Sequence, residues 1–148
     1  MQSSKPEATE VFDSLNWESE IESWVKRSNL SEMIAWLVSI LMPPDSAESA
    51  TLLKNIQTYL ESPSSSLRWD IFKKSELIGF STTTGLLGLV LFLMDGSMSP
   101  DEYEPVYPPE GVVEQIIGCI LILLAVSNNQ APSKGAENLY IDWCNYNR

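Results

Sequence analysis

A chain of 148 residues that is 44% hydrophobic is long enough for one domain with a core of its own, and needs no disulfide framework to hold it. Twenty acidic residues against nine basic ones leave a net charge of -11, which turns the chain away from nucleic acid and anionic membranes and towards a protein partner with a basic surface. The plainer meaning of the same charge is solubility.

The first 13 residues are polar and acidic without a period, and are expected to form a flexible N-terminus ahead of a single helical domain over residues 14–148. No apolar stretch of the kind that opens a secretory signal lies there. Trp17, Ile21, Trp24 and Val25 then share one helical face. Asn29, with Glu32 three residues on, reads as a capping box for a helix whose stripe is Leu30, Met33, Ile34, Leu37, Val38 and Leu41. Trp36 lies beside that stripe, either widening it or partly exposed. Pro43 and Pro44 stop this helix. Asp45 and Glu48 repeat the capping logic before Leu52, Leu53, Ile56, Tyr59 and Leu60.

After Pro63, Ser64 or Ser65 starts a helix carrying Leu67, Ile71, Phe72, Ser75 and Ile78, with Gly79 as a left-handed terminal residue. Arg68, near its start, is expected to pair internally. Ser81 or Thr82 caps a helix to Met94, in which Gly85 and Gly88 permit close approach of a neighbour. Pro109 suits the first position of a helix reaching Ser127. Asn128 to Pro132 reads as a loop, and a last helix over about Lys134–Cys144 offers Leu139, Tyr140 and Trp143. No run alternates with period two. The expected fold is all-α: one compact domain of six or seven helices with one long Pro/Gly-rich acidic loop.

No residue from Leu77 to Met94 is charged, yet Gly79 and Ser81 to Thr84 interrupt the run, and Ile116–Val126 falls short of the roughly 20 residues a span requires. Both are expected to be core helices buried on most of their circumference. Histidine is absent, which removes the commonest general base and metal ligand. Cys119 and Cys144 are too few and too far apart for a zinc site and fit a reducing cytoplasm, Cys119 acting as a small hydrophobe in its apolar helix. No phosphate-cradling motif is present. No catalytic residue, metal ligand or cofactor is assigned, and catalysis is not expected.

What remains is the loop from Asp95 to Pro109, inside a stretch from Lys74 to Lys134 that holds no cation between its ends. Asp95, Asp101, Glu102 and Glu104 match no calcium loop. Tyr103 and Tyr107 sit among them with Val106 and a series of prolines. These rings either pack down over the ends of the two apolar helices or stand exposed for a partner. The candidate partner-binding set is Asp95, Asp101, Glu102, Tyr103, Glu104 and Tyr107.

The order of landmarks is itself informative. Met42-Pro43-Pro44, Ser62-Pro63 with Arg68, Gly79, Phe92-Leu93-Met94-Asp95-Gly96-Ser97-Met98-Ser99-Pro100, Pro105-Val106, Pro108-Pro109 and the Ile116–Val126 helix follow one another. Over about Ser31–Val126 this resembles a family of small uncharacterised all-helical bacterial proteins. Their turn runs aromatic-Ser-Gly-Gly-Ser-Leu-Ala-Pro before a Val, a Pro-Pro pair and an apolar helix. Here Leu93 replaces a common aromatic, Asp95 the first glycine and Met98 the leucine. The resemblance implies the fold and, since some members lie near type VI secretion genes, a secretion context; it implies no activity and no site residues.

The expected function is therefore a non-catalytic interaction module: an adaptor, chaperone or accessory factor in the cytoplasm, for which the resemblance implies a bacterial secretion system as the setting. An immunity protein or antitoxin that binds a basic toxin is the alternative, because charge steering gives fast capture of a basic enzyme. A ligand between the apolar helices and a self-associating scaffold are further readings.

Overall fold

In the computed structural model, which describes residues 12–127 and 130–147, the chain runs through seven helices: α1 (Trp17–Lys26), α2 (Leu30–Ile40), α3 (Ala47–Glu61), α4 (Ser65–Ile78), α5 (Thr83–Met94), α6 (Val112–Val126) and α7 (Pro132–Tyr146). Four of them begin on a side chain that accepts a hydrogen bond from the first turn. Asn29 takes the amide of Glu32, Ser46 that of Ser49, Ser64 that of Leu67 and Thr82 that of Gly85. Each such cap contributes about 1 kcal/mol by satisfying an amide that the helix leaves without a partner.

Four helix boundaries differ from the sequence expectation. Ser46, not Asp45, caps α3, so that Ser49 rather than Glu48 supplies the bonded amide. Glu48 still lies in the first turn, where a carboxylate meets the positive end of the helix dipole. Pro109 does not open α6: its carbonyl accepts from Val112 in a turn, and Gly111, at φ 89°, sets the start of the helix three residues later than expected. The last helix is longer than expected at both ends and has Pro132 in its first turn. Gly79 has the expected positive φ, 105°, with an extended ψ of 145°.

The expected flexible start falls outside the described residues as far as residue 11, as do Asn128 and Asn129 of the expected loop before α7. Phe12, however, is buried, packed against Trp24 and Tyr140. Trp36 is fully buried: its ring meets Trp24 and Trp143, and its Nε1–H donates to Asp142 Oδ2 at 2.8 Å. Trp24 of α1 and Trp36 of α2 therefore build one aromatic cluster with α7, and Trp24 is closed off from any partner.

The apolar helix α5 packs against α2, α3, α4 and α6 and buries seven of its twelve residues, with Leu86, Leu89 and Leu93 partly exposed along one stripe. Its partner α6 packs against α1, α5 and α7, but is only half enclosed. Cys119, Leu123 and Val126 are exposed, which overturns the expectation of a helix buried around most of its circumference and of Cys119 as a core hydrophobe. No helix among the described residues is long and apolar enough to cross a membrane.

Gly118 faces this open side, and an added Cβ there would meet nothing within 4 Å. Gly118→Ala is expected to stabilise the chain by about 0.5–1 kcal/mol, since alanine restricts the unfolded state and favours the helix. Thermal unfolding would register it as a rise of a few degrees; a fall would mean that this face of α6 is covered.

Candidate functional site

The acidic loop is held from below by one buried cation. The Ser64 cap fixes the start of α4, and Arg68, accepting its place in the first turn by donating its amide to the Ser64 carbonyl, faces the C-terminus of α5. The last carbonyls of a helix lack amide partners. Arg68 supplies them: Nε and Nη2 both donate to the Phe92 carbonyl, at 2.9 and 2.6 Å, and Nη2 also donates to the Ser97 carbonyl at 2.8 Å. A cation at this end also complements the helix dipole.

The guanidinium lies 4.1 Å from the centre of the Phe92 ring, which stacks on Phe72 and meets the edge of Trp69. Arg68 is only 6% exposed. Burial pulls its pKa down, and Tyr59, Asp95 and Asp101 act in the opposite direction. The expected internal pairing of Arg68 is thus to backbone carbonyls, with the carboxylates further off. Gly96 permits the close packing, because a Cβ there would sit 3.1 Å from Cζ and Nη1.

A second clamp joins α3 to the same corner. The Tyr59 hydroxyl donates to Asp95 Oδ2 at 2.9 Å. Burial first, then the bond to Asp95 and its negative charge, push the Tyr59 pKa up to about 12, so the phenol keeps its proton across the physiological range.

Beyond Gly96 the loop closes on itself. Ser97 Oγ accepts from the amides of Ser99 (3.0 Å) and Val106 (2.8 Å), Met98 donates its amide to the Val106 carbonyl (2.6 Å), and Ser99 Oγ donates to the Glu104 carbonyl (2.6 Å). The Tyr103 amide donates to the Pro100 carbonyl. Short polar side chains thus take the place of a strand ladder in a compact Ω-type loop.

The loop brings five of the six predicted residues together. Asp101, Glu102, Tyr103, Glu104 and Tyr107 lie on the continuously exposed run 100–107, with Tyr103 66% and Tyr107 64% exposed. The rings do not pack down over α5 and α6. Asp95 differs: it lies at the base of the loop and its carboxylate is engaged by Tyr59. Sequence reasoning missed the organising roles of Ser97, Ser99 and Tyr59. The visible signal was a Ser-x-Ser within a proline-bounded turn, since such hydroxyls commonly bond nearby backbone.

Chemically, the hydroxyls and the guanidinium are engaged in holding the loop, and the exposed groups are tyrosine rings, proline rings and carboxylates. A second concave feature, a groove of about 740 Å³ between α1 and α6, is lined by Leu15, Ile21, Glu114, Gly118, Cys119 and Ile122 among others. Among the described residues no cluster of three Cys, Asp or Glu side chains is placed to hold a metal ion.

A family described as "Family of unknown function (DUF6931)" has a model that matches residues 29–143, and the chain belongs to that family. No curated protein and no solved structure matches the chain. The matched span opens at the Asn29 cap and takes in Arg68, the whole acidic loop and the buried Trp143.

Proposed function

We propose that this member of the family is a non-catalytic docking protein whose acidic loop captures a partner with a basic surface. One observation carries the reading: two tyrosines, each about two-thirds exposed, stand among exposed carboxylates on a loop held by a buried arginine and its own hydrogen bonds. Holding the rings in place before the encounter lowers the ordering cost that association would otherwise carry. Tyrosine supplies contact area, and Asp101, Glu102 and Glu104 supply steering. The reading sets the protein in a reducing cytoplasm, where the exposed Cys119 and Cys144 remain thiols, and its resemblance to proteins near type VI secretion genes suggests an adaptor or accessory role there.

Affinity capture from the native host with mass spectrometry tests this directly. Tyr103→Ala with Tyr107→Ala should weaken capture roughly thirtyfold, while changing stability by no more than about 0.5 kcal/mol because the rings are exposed. Unchanged capture with a sharp loss of stability would make the loop purely structural. Charge reversal at Asp101, Glu102 and Glu104 should slow association and flatten its dependence on salt. A captured toxin whose growth inhibition the chain relieves would identify the partner as an effector and the chain as its inhibitor.

A further inference from the structure

The second half of the loop has a conformation that its own residues dictate. Proline fixes φ near −65° at Pro105, Pro108 and Pro109. Each residue that precedes a proline is driven to extended ψ, which fixes Glu104, Tyr107 and Pro108. Residues 104–109 accordingly form neither helix nor turn nor strand. Both ends are tied. Val106 has its amide and carbonyl engaged by Ser97 Oγ and the Met98 amide, and the Pro109 carbonyl accepts from Val112 at the start of α6.

An extended proline-rich segment turns once every three residues. With that period Pro105 and Pro108 share one edge, Glu104 and Tyr107 a second, Val106 and Pro109 a third. The Val106 backbone faces the protein, while Pro105, Tyr107 and Glu104 are exposed. The spacing Pro105-Val106-Tyr107-Pro108 is P-x-x-P, and Glu102, Glu104 and Glu110, all exposed, flank it.

We propose that residues 104–109 are a preformed polyproline ligand, and that the partner receives them in a groove lined by aromatic rings with basic residues at its rim. The inference rests on the docking reading above and specifies the chemistry of the partner. Proline rings suit aromatic walls because they are flat, apolar and already ordered, so little conformational freedom is lost on binding. The flanking carboxylates select a basic rim over the acidic one that a lysine- or arginine-flanked proline motif would require. This segment combines an extended proline backbone with an exposed Pro105 ring, a half-exposed Pro108 ring and flanking carboxylates.

The test uses the full chain and the partner captured with it. Pro105→Ala with Pro108→Ala should weaken that partner's binding about tenfold or more, a hot-spot loss of roughly 1.4 kcal/mol. A peptide spanning Glu104–Glu110 should compete for the same partner, and its scrambled form, equal in charge and composition, should not. On binding, the ring protons of Pro105 and Pro108 should shift upfield by ring currents in the NMR spectrum. Capture that survives the proline substitutions, with no competition by the peptide and shifts confined to Tyr103 and the acidic residues, overturns the polyproline assignment and leaves the docking reading standing. Absence of any captured partner overturns the docking reading and this inference with it. Should the double substitution unfold the chain, the peptide competition and the proton shifts still decide.

Discussion

Arg68→Ala is expected to lower the unfolding temperature by roughly 10 °C and to release the acidic loop. The substitution removes three hydrogen bonds at once and leaves the carbonyls of Phe92 and Ser97 without donors in a corner from which water is largely excluded. It also empties the space over the Phe92 ring. Unsatisfied buried carbonyls and lost packing together cost about 3 kcal/mol. Two further variants separate the causes. Arg68→Met keeps the stem and the contact with Phe92 and removes a buried charge, a change that is often neutral in itself; a loss of about 2 kcal/mol would then belong to the two carbonyls. Arg68→Lys keeps the charge but lacks the planar fork that reaches Phe92 and Ser97 together, so it should recover only part of the loss. Urea unfolding gives the energies, and limited proteolysis by chymotrypsin after Tyr103 reports the loop, since Pro108 blocks cleavage after Tyr107. Wild-type stability and wild-type resistance in Arg68→Ala would show that the loop stands without this anchor.

The loop's dependence on Arg68 explains why half of this site was legible in the chain and half was not. Local signals survived. Asn29, Ser64 and Thr82 cap as their spacing implies, because a cap bonds within its own first turn. Ser46 displaced Asp45 by one residue, a choice between adjacent capping residues that periodicity does not resolve. Composition and charge select the six candidate loop residues, but they leave open whether the two rings pack down over the apolar helices or stand out from them, and only the fold decides for exposure. What sequence could not supply was distance. Arg68 meets a carbonyl 24 residues away and another 29 away, and Tyr59 meets Asp95 across 36. Cys119 illustrates the opposite failure. Its apolar neighbours implied burial, but α6 has one side that no other helix among the described residues covers. A uniformly apolar helix carries too weak a pattern to say which face remains open.

Alanine at Gly85 or Gly88 should force α5 away from α4. A Cβ at Gly85 would lie 2.0 Å from the Gly79 carbonyl oxygen and 2.9 Å from Thr82 Oγ1. That carbonyl already accepts from the Thr82 hydroxyl, so the turn between the helices cannot yield without losing its own bond and straining the cap of α5. At Gly88 the obstacle is a side chain: the new Cβ would fall 1.9 Å from Ser75 Oγ and 3.2 Å from Ser75 Cβ. Ser75 is fully buried, and its hydroxyl donates to the Ile71 carbonyl at 2.9 Å. Alanine favours a helix interior over glycine by about 1 kcal/mol, but overlap of this kind outweighs that gain. The expected net costs are about 3 kcal/mol for Gly85→Ala and about 2 kcal/mol for Gly88→Ala. Because the two obstacles differ, Ser75→Ala distinguishes them. Removing the hydroxyl leaves contacts of 3.2 Å with Ser75 Cβ and 3.4 Å with Ile71 Cγ2 at Gly88, so Ser75→Ala should offset part of the Gly88→Ala loss, with a coupling of about 1 kcal/mol, and should add independently to Gly85→Ala. Equilibrium unfolding of the three single and two double variants measures both terms. Simple additivity at Gly88 would mean that α4 and α5 do not meet through Ser75, and the tight crossing that places Arg68 beneath the loop would have to be redrawn.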